Sequence, residues 1–284
     1  MTKLAFMSDL HVDFNAFTDF DNQTLITLLK EEQIDHLHIA GDISNHHHTV
    51  GLPFIQLLRK HLPVTYNLGN HDMLDLKEAE IEQLDFKTYT VGSRNFLACH
   101  GWYDYSFFPQ KTMEELMAFK KQFWFDRRLT RQQSDPQITA NIIQKLDDIL
   151  TKRPDIDLVT LHFVPHGNFL LTHPKLVPFN AFLGSPRFHE VFVKHEIADV
   201  VFGHSHHSYH QMIDGVSYHA HPLGYRREWD LTIDYVNQHP EYNPSGTWNL
   251  SKRYHQVRHL KDYHDYTQQH LKAEFQKALT IFDC

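Results

Sequence analysis

Short apolar runs recur along the chain over residues 2–8, 34–40, 64–68, 157–161 and 198–202, each closed by polar turn residues. Runs of this length, bounded in this way, predict buried strands. Between the first three, Leu25, Ile26, Leu28 and Leu29 predict a helix over 24–33. Phe54 to Leu62 predicts another, with Pro53 near its first turn. Strand–helix–strand alternation of this kind predicts an α/β sheet with helices packed on it.

Further along, residues 89–99 predict a hairpin turning near Gly92 to Asn95. Helical spacing follows from Met113 to about Lys152, broken at Asp135-Pro136. That segment reads as a packing layer or as a cap over a substrate pocket. Residues 189–196 predict a short helix, and Val216 to His221 alternates like a half-exposed strand. Arg226 to Leu250, with Pro240 and Pro244, reads as a long loop. From Tyr254 to Phe282 the apolar spacing is helical, so the tail is expected to dock as a helix. With no repeat and no Gly/Ser-rich linker, residues 1–284 are expected to form a single domain. It would carry a cap-like insertion at about 103–153 and an extension at about 226–284.

The 41% hydrophobic and 22% charged content are those of an ordinary globular chain. A net charge of −8 disfavours a broad polyanion-binding face, so long nucleic acid is not an expected partner. Bound cations would reverse that sign locally. Two cysteines, Cys99 and Cys284, make no disulfide framework. The first apolar run is too short for a signal peptide, and no stretch approaches the length of a membrane span. A cytoplasmic location and no membrane partner are expected. Histidine is over-used, with 25 copies. Asn45-His46-His47-His48 reads as a polar loop or, more sharply, as a weak surface metal patch.

Chemistry concentrates where the strands end. The first runs into Asp9 and His11, and the second into Gly41-Asp42. The third runs into Gly69-Asn70-His71-Asp72, the fourth into His162, and the fifth into Gly203-His204-Ser205-His206. In α/β sheets, functional side chains collect at the carboxyl ends of strands. Aspartate, histidine and asparagine are donors suited to Mn, Fe or Zn, and a shared metal site explains why five strands deliver them together.

In this order the motifs resemble those of the calcineurin-like metallophosphoesterase superfamily, over about residues 4–221. The resemblance implies a four-layer α-β-β-α sandwich of two mixed β-sheets flanked by helices. It also implies two divalent or trivalent metal ions per chain. Asp9, His11 and His206 would hold one and Asn70, His162 and His204 the other, with Asp42 shared. Two cations ~3.5–4 Å apart acidify a shared water for in-line attack and neutralise charge on a phosphate oxygen. His71 would then act as the acid at the leaving oxygen.

One position departs from the protein-phosphatase branch, which carries a second Asp three residues after that of Gly-Asp. Here that residue is Asn45, whose carbonyl can orient His71 without the charge of a carboxylate. Asp72 is the other candidate to support His71. A dianionic monoester wants arginine or lysine on its free oxygens, and no motif turn carries one. Arg94, Lys175, Arg187, Arg226 and Arg227 are the candidates that folding could bring in, and His100, His166 and His207 the candidate histidines. The expected substrate is therefore a small phosphodiester. Trp102, Tyr103, Tyr105, Tyr225 and Trp229 could stack on it, though packing accounts for most of them. A phosphomonoesterase or protein phosphatase, a DNA-repair-type nuclease, an inactive scaffold and a histidine-rich metal store are the competing readings.

Overall fold

A computed structural model of the chain describes residues 1–284. Its elements run β1 (Lys3–Met7), α1 (Asp19–Glu31), β2 (His36–Ala40), α2 (Leu52–Arg59), β3 (Val64–Asn67), α3 (Glu78–Leu84), β4 (Lys87–Val91) and β5 (Arg94–Ala98). Then come α4 (Met113–Phe123), α5 (Asp135–Lys152), β6 (Leu158–Thr160), α6 (Arg187–Lys194), β7 (Asp199–Val201), β8 (Tyr209–Ile213) and β9 (Val216–Ala220). The chain closes with α7 (Asp230–Gln238), α8 (Leu250–Val257), α9 (Lys261–Lys277) and β10 (Thr280–Asp283).

The strands form a four-stranded sheet, β10-β1-β2-β3, and a six-stranded sheet, β4-β5-β6-β7-β9-β8. Side chains alternate across each strand, and that alternation sorts the core into layers. Ala5, Met7, Leu37 and Ile39 face α1, α2, α7 and α9. Leu97, Val159 and Val200 face α5 and α6. Leu4, Phe6, Phe96, Ala98, Leu158 and Val201 meet in a thin seam between the sheets. This is the α-β-β-α sandwich that the motifs imply. His38 is buried near that seam, its ring 5.5 Å from Phe6 and 5.1 Å from Phe96. It is satisfied by Thr65 Oγ1 at 2.8 Å and Asn67 Oδ1 at 3.0 Å.

Four local expectations need correction. The helix predicted over 24–33 begins at Asp19, because Thr18 and Asp21 form a capping box one turn earlier. Residues 226–250 are not one loop. α7 forms there because the amides of Asp230 and Leu231 donate to Glu274 of α9 at 2.9 and 3.1 Å. The chain's last residues leave the helix and pair antiparallel with β1, Phe6 opposite Thr280 and Leu4 opposite Phe282. Finally, β9 is internal to its sheet, with Tyr218, His219 and Ala220 buried.

Pairing within β1-β2-β3 and within β5-β6-β7 is parallel, so the carboxyl ends of each set share one edge of their sheet. The amides of Asp9 and His11 donate to the carbonyls of Gly41 and Asp42 along the first edge, and that of Gly203 donates to His162 along the second. The amides of Leu223 and Gly224, just past β9, donate to the carbonyls of Ser8 and Asp9 and so join the two edges. No helix is long and apolar enough to cross a membrane.

Candidate metal centre

Five residues at this rim adopt the left-handed backbone region that glycine favours: Asp9 (φ 57°), His11 (φ 43°), Asp42 (φ 56°), His204 (φ 68°) and His206 (φ 54°). Such φ values carry strain in non-glycine residues and cluster at functional sites. Here they turn each side chain inward as its strand ends. Two glycines give the carboxylates room. A Cβ on Gly69 would collide with the Asp42 carboxylate, and one on Gly203 with that of Asp9.

The inward side chains form overlapping groups, Asp9–His11–His206, His11–Asp42–His71 and Asp42–His162–His204. His206 Nε2 lies 3.2 Å from Asp9 Oδ1 and 3.2 Å from His11 Nε2. His162 Nε2 lies 3.3 Å from Asp42 Oδ2 and 3.2 Å from His204 Nδ1. Two donors on one cation at ~2.1 Å stand ~3.0–3.4 Å apart at tetrahedral to right angles.

Outer contacts choose which ring nitrogen faces inward. Glu228 takes His206 Nδ1 at 2.7 Å, the Ala40 carbonyl takes His162 Nδ1 at 3.0 Å, and the Phe182 carbonyl takes His204 Nε2 at 3.2 Å. Such partners fix the orientation of metal-binding imidazoles. Asn70 donates Nδ2 to Asp126 at 2.7 Å, which leaves its buried Oδ1 without a protein partner. The spacing, the outer contacts and this orphaned oxygen all fit a pair of metal ions.

Charge follows the same layout. Burial raises the pKa of Asp9, but the hydrogen bond from His206 and the charges of His162 and His206 bring it down to about 2. Burial disfavours a charged His206, yet Glu228 and Asp9 push it up to about 10. His162, against Asp42, rises to about 9 despite its burial. Burial and the neighbouring His162 drop His204 to about 3.

His71 stands at the mouth, its Nε2 3.8 Å from Asp42 Oδ2. Its Nδ1 lies 2.9 Å from Asn45 Oδ1, and its ring stacks on Phe125 at 3.7 Å. Asp72 does not support it. The Asp72 carboxylate accepts from the amides of Asp42, Ile43, Ser44 and Gly69 at 2.8 to 3.0 Å, and so ties the two loops together.

The other candidates scatter. Arg94 pairs with Asp157 and Asp199, Arg226 with Asp21, and Lys175 stacks over Trp248. Arg187 opens α6. His100 pairs with Asp85, His166 packs on His189, and His207 bonds the Ser205 carbonyl. Trp102, Tyr103, Tyr105 and Trp229 are buried in the cores. Tyr225 reaches the site, and Arg227 stacks over it at 4.1 Å. In the Asn45–His48 loop, His47 is buried and His48 pairs with Glu80.

Sequence reasoning missed Glu228, Asp126 and Phe125. Each reaches the site from outside the motifs, and no spacing marks it.

A two-sheet sandwich with histidines and aspartates gathered at one rim has the form of a metal-dependent hydrolase. A family model described as calcineurin-like phosphoesterase matches residues 2–208, and the chain belongs to that family. Among solved structures it is similar to a phosphopantetheinyl hydrolase from Mycobacterium tuberculosis. That match has a TM-score of 0.60 and 20% identity, and covers 80% of this chain and 91% of that one. It is also similar to a dimetal phosphatase from Danio rerio, with a TM-score of 0.48 and 13% identity over 77% of this chain and 86% of that one. At these identities the likeness concerns the fold. No curated protein sequence matches significantly. The chain is a metal-dependent hydrolase of phosphate esters.

Proposed function

We propose that this phosphoesterase cleaves a small phosphodiester, with His71 as the general acid at the leaving oxygen. In this reading Asp9, His11 and His206 hold one metal ion, Asn70, His162 and His204 the other, and Asp42 serves both. The carrying observation is the His71 ring. Asn45 holds its Nδ1 and Phe125 covers one face, and Nε2 faces Asp42 and the Tyr225 hydroxyl, where a leaving oxygen would take its proton. Ions bound there would activate the attacking water and neutralise charge on the phosphate. The N/O donor set suits Mn, Fe or Zn.

Every ion-pair partner of Asp9 and Asp42 is a histidine. A dianionic monoester calls for a guanidinium or ammonium at that place, so the diester is the better fit. Asn45 steers His71 as a neutral amide, unlike the carboxylate of the protein-phosphatase branch. In this reading residues 1–284 work as one domain, and the 103–153 insertion acts as a cap through Phe125 and Asp126. Free Cys99 and Cys284 suit a reducing, cytoplasmic setting.

The test is hydrolysis of bis-(p-nitrophenyl) phosphate and of p-nitrophenyl phosphate by chelator-stripped protein reloaded with manganese. Metal-dependent cleavage favouring the diester is expected. Preference for the monoester would keep the metal chemistry and overturn the diester.

A further inference from the structure

A cavity of about 330 Å³ beside the metal centre is lined by Arg226, Arg227, Arg258 and His255, with Phe14 and Tyr254, and by no carboxylate. In a chain of net charge −8, this is a concentrated patch of cations. Not all of that charge is free. Arg226 is neutralised by buried Asp21 at 2.5 Å, and its Nε donates to the Asn15 carbonyl. Arg227 has Glu228 at 3.2 Å, but that carboxylate already holds His206. The Arg258 Nε donates to the neighbouring His259 ring, and Arg258 has no carboxylate partner.

The wall towards the metal centre is aromatic. Phe14 packs 4.7 Å from Tyr225, whose ring stacks on His11 at 4.5 Å and whose hydroxyl lies 3.4 Å from His71 Nε2. His71 and the Arg227 guanidinium lie 6.5 and 4.1 Å from that same Tyr225 ring. The Tyr225 side chain therefore contacts both His71 and the Arg227 guanidinium.

We propose that this cavity is a second anion subsite. The substrate carries a further phosphate group, which Arg227 and Arg258 bind while the reacting phosphodiester sits beside His71. The proposal rests on the phosphodiesterase reading above. Guanidinium groups pair with phosphate oxygens through two parallel charge-assisted bonds. Arg226, already neutralised, holds the Asn15 loop in place as the floor.

The test compares thymidine 5′-(p-nitrophenyl phosphate) with the same compound bearing a 3′-phosphate, on metal-loaded protein. The 3′-phosphate is expected to lower KM about tenfold with little change in kcat, as one charge-assisted contact would. The preference should fall towards parity in Arg258→Gln, and further in the double variant with Arg227→Gln. It should persist in Arg153→Gln, which removes an exposed charge paired with Asp155. Equal kcat/KM for the two probes in the native protein, or a preference that survives both substitutions, overturns the subsite. If no p-nitrophenyl diester is cleaved, the phosphodiesterase reading falls. Calorimetric binding of thymidine 3′,5′-bisphosphate then decides the cavity. Affinity about tenfold weaker in Arg258→Gln supports an anion site, and unchanged affinity overturns it.

Discussion

His206 is held from behind by the Glu228 carboxylate, whereas His162 and His204 are held by the backbone carbonyls of Ala40 and Phe182. The Asp9–His11–His206 side thus gathers two carboxylates of its own. The Asn70–His162–His204 side has neutral donors, and Asp126 behind Asn70 is pushed by burial up to about 6, so it is easily neutralised. A cation gains more from the first environment than from the second. The first side is therefore expected to hold its metal ion more tightly than the second.

The largest break is expected at Asp42, the carboxylate that falls in two of the overlapping donor groups. Asp42→Asn should abolish hydrolysis and lower metal content on both sides, read by elemental analysis and by bis-(p-nitrophenyl) phosphate turnover. A variant keeping two metals and full activity would remove Asp42 from the site. In the proposed arrangement His71 belongs to neither side. His71→Ala should cost ~10²–10⁴-fold in kcat while both metals are retained.

The asymmetry itself is sharpened by Glu228→Gln. It should weaken one metal ~10–100-fold and leave the other unchanged in a chelator titration. Asp126→Asn should do less, because the group it replaces is already half neutral near pH 6. Equal effects of the two substitutions would erase the comparison.

In the metal-free protein each side pairs a histidine of raised pKa, His206 or His162, with one of lowered pKa, His11 or His204. His206 and His162, raised to about 10 and about 9, lend stability that is complete below their unfolded value near 6.5 and is lost as pH rises through those values. His204 and His38, lowered to about 3, lend stability that is present above 6.5 and is lost as pH falls towards 3. The Tm of stripped protein should therefore peak near pH 6.5 and fall on both sides. Glu228→Gln should flatten the alkaline limb most, and it should also soften the acid limb, because Glu228 is held below the usual carboxylate value by His206 despite its burial. The smallest effect is expected at Glu274, whose carboxylate caps α7 just after Glu228. Glu274→Ala should cost ~0.5–2 kcal/mol by denaturant titration and loosen the Glu228 side slightly.

Much of this site was legible because its residues follow strands directly. Asp9, His11, Asp42, Asn70, His71, His162, His204 and His206 all sit within a few residues of an apolar run. A parallel sheet brings the ends of such runs to one edge whatever the loops do. Asn45 was legible as a partner for His71 only through the resemblance to the protein-phosphatase branch, and the two meet at 2.9 Å. Asp72 shows the limit of that logic. It adjoins His71 in sequence, yet its carboxylate is consumed by four backbone amides of the neighbouring turns.

By itself the sequence determined the order of the strand-end motifs and the donor set, because strand periodicity and side-chain chemistry are local properties; the sandwich followed from the resemblance of those motifs to a known family. Only the tertiary structure decided that Glu228 and Asp126 stand behind the donors, that Phe125 and Tyr225 wall the mouth, and that Arg227 shares Glu228 with His206 while Arg226 has Asp21. It also decided that α7 exists, through a carboxylate 43 and 44 residues away from the amides it caps, and that the final residues join β1 as a strand. These depend on contacts between segments far apart in the chain. Their energy resides in the pairing of two groups, and neither partner's local sequence records it.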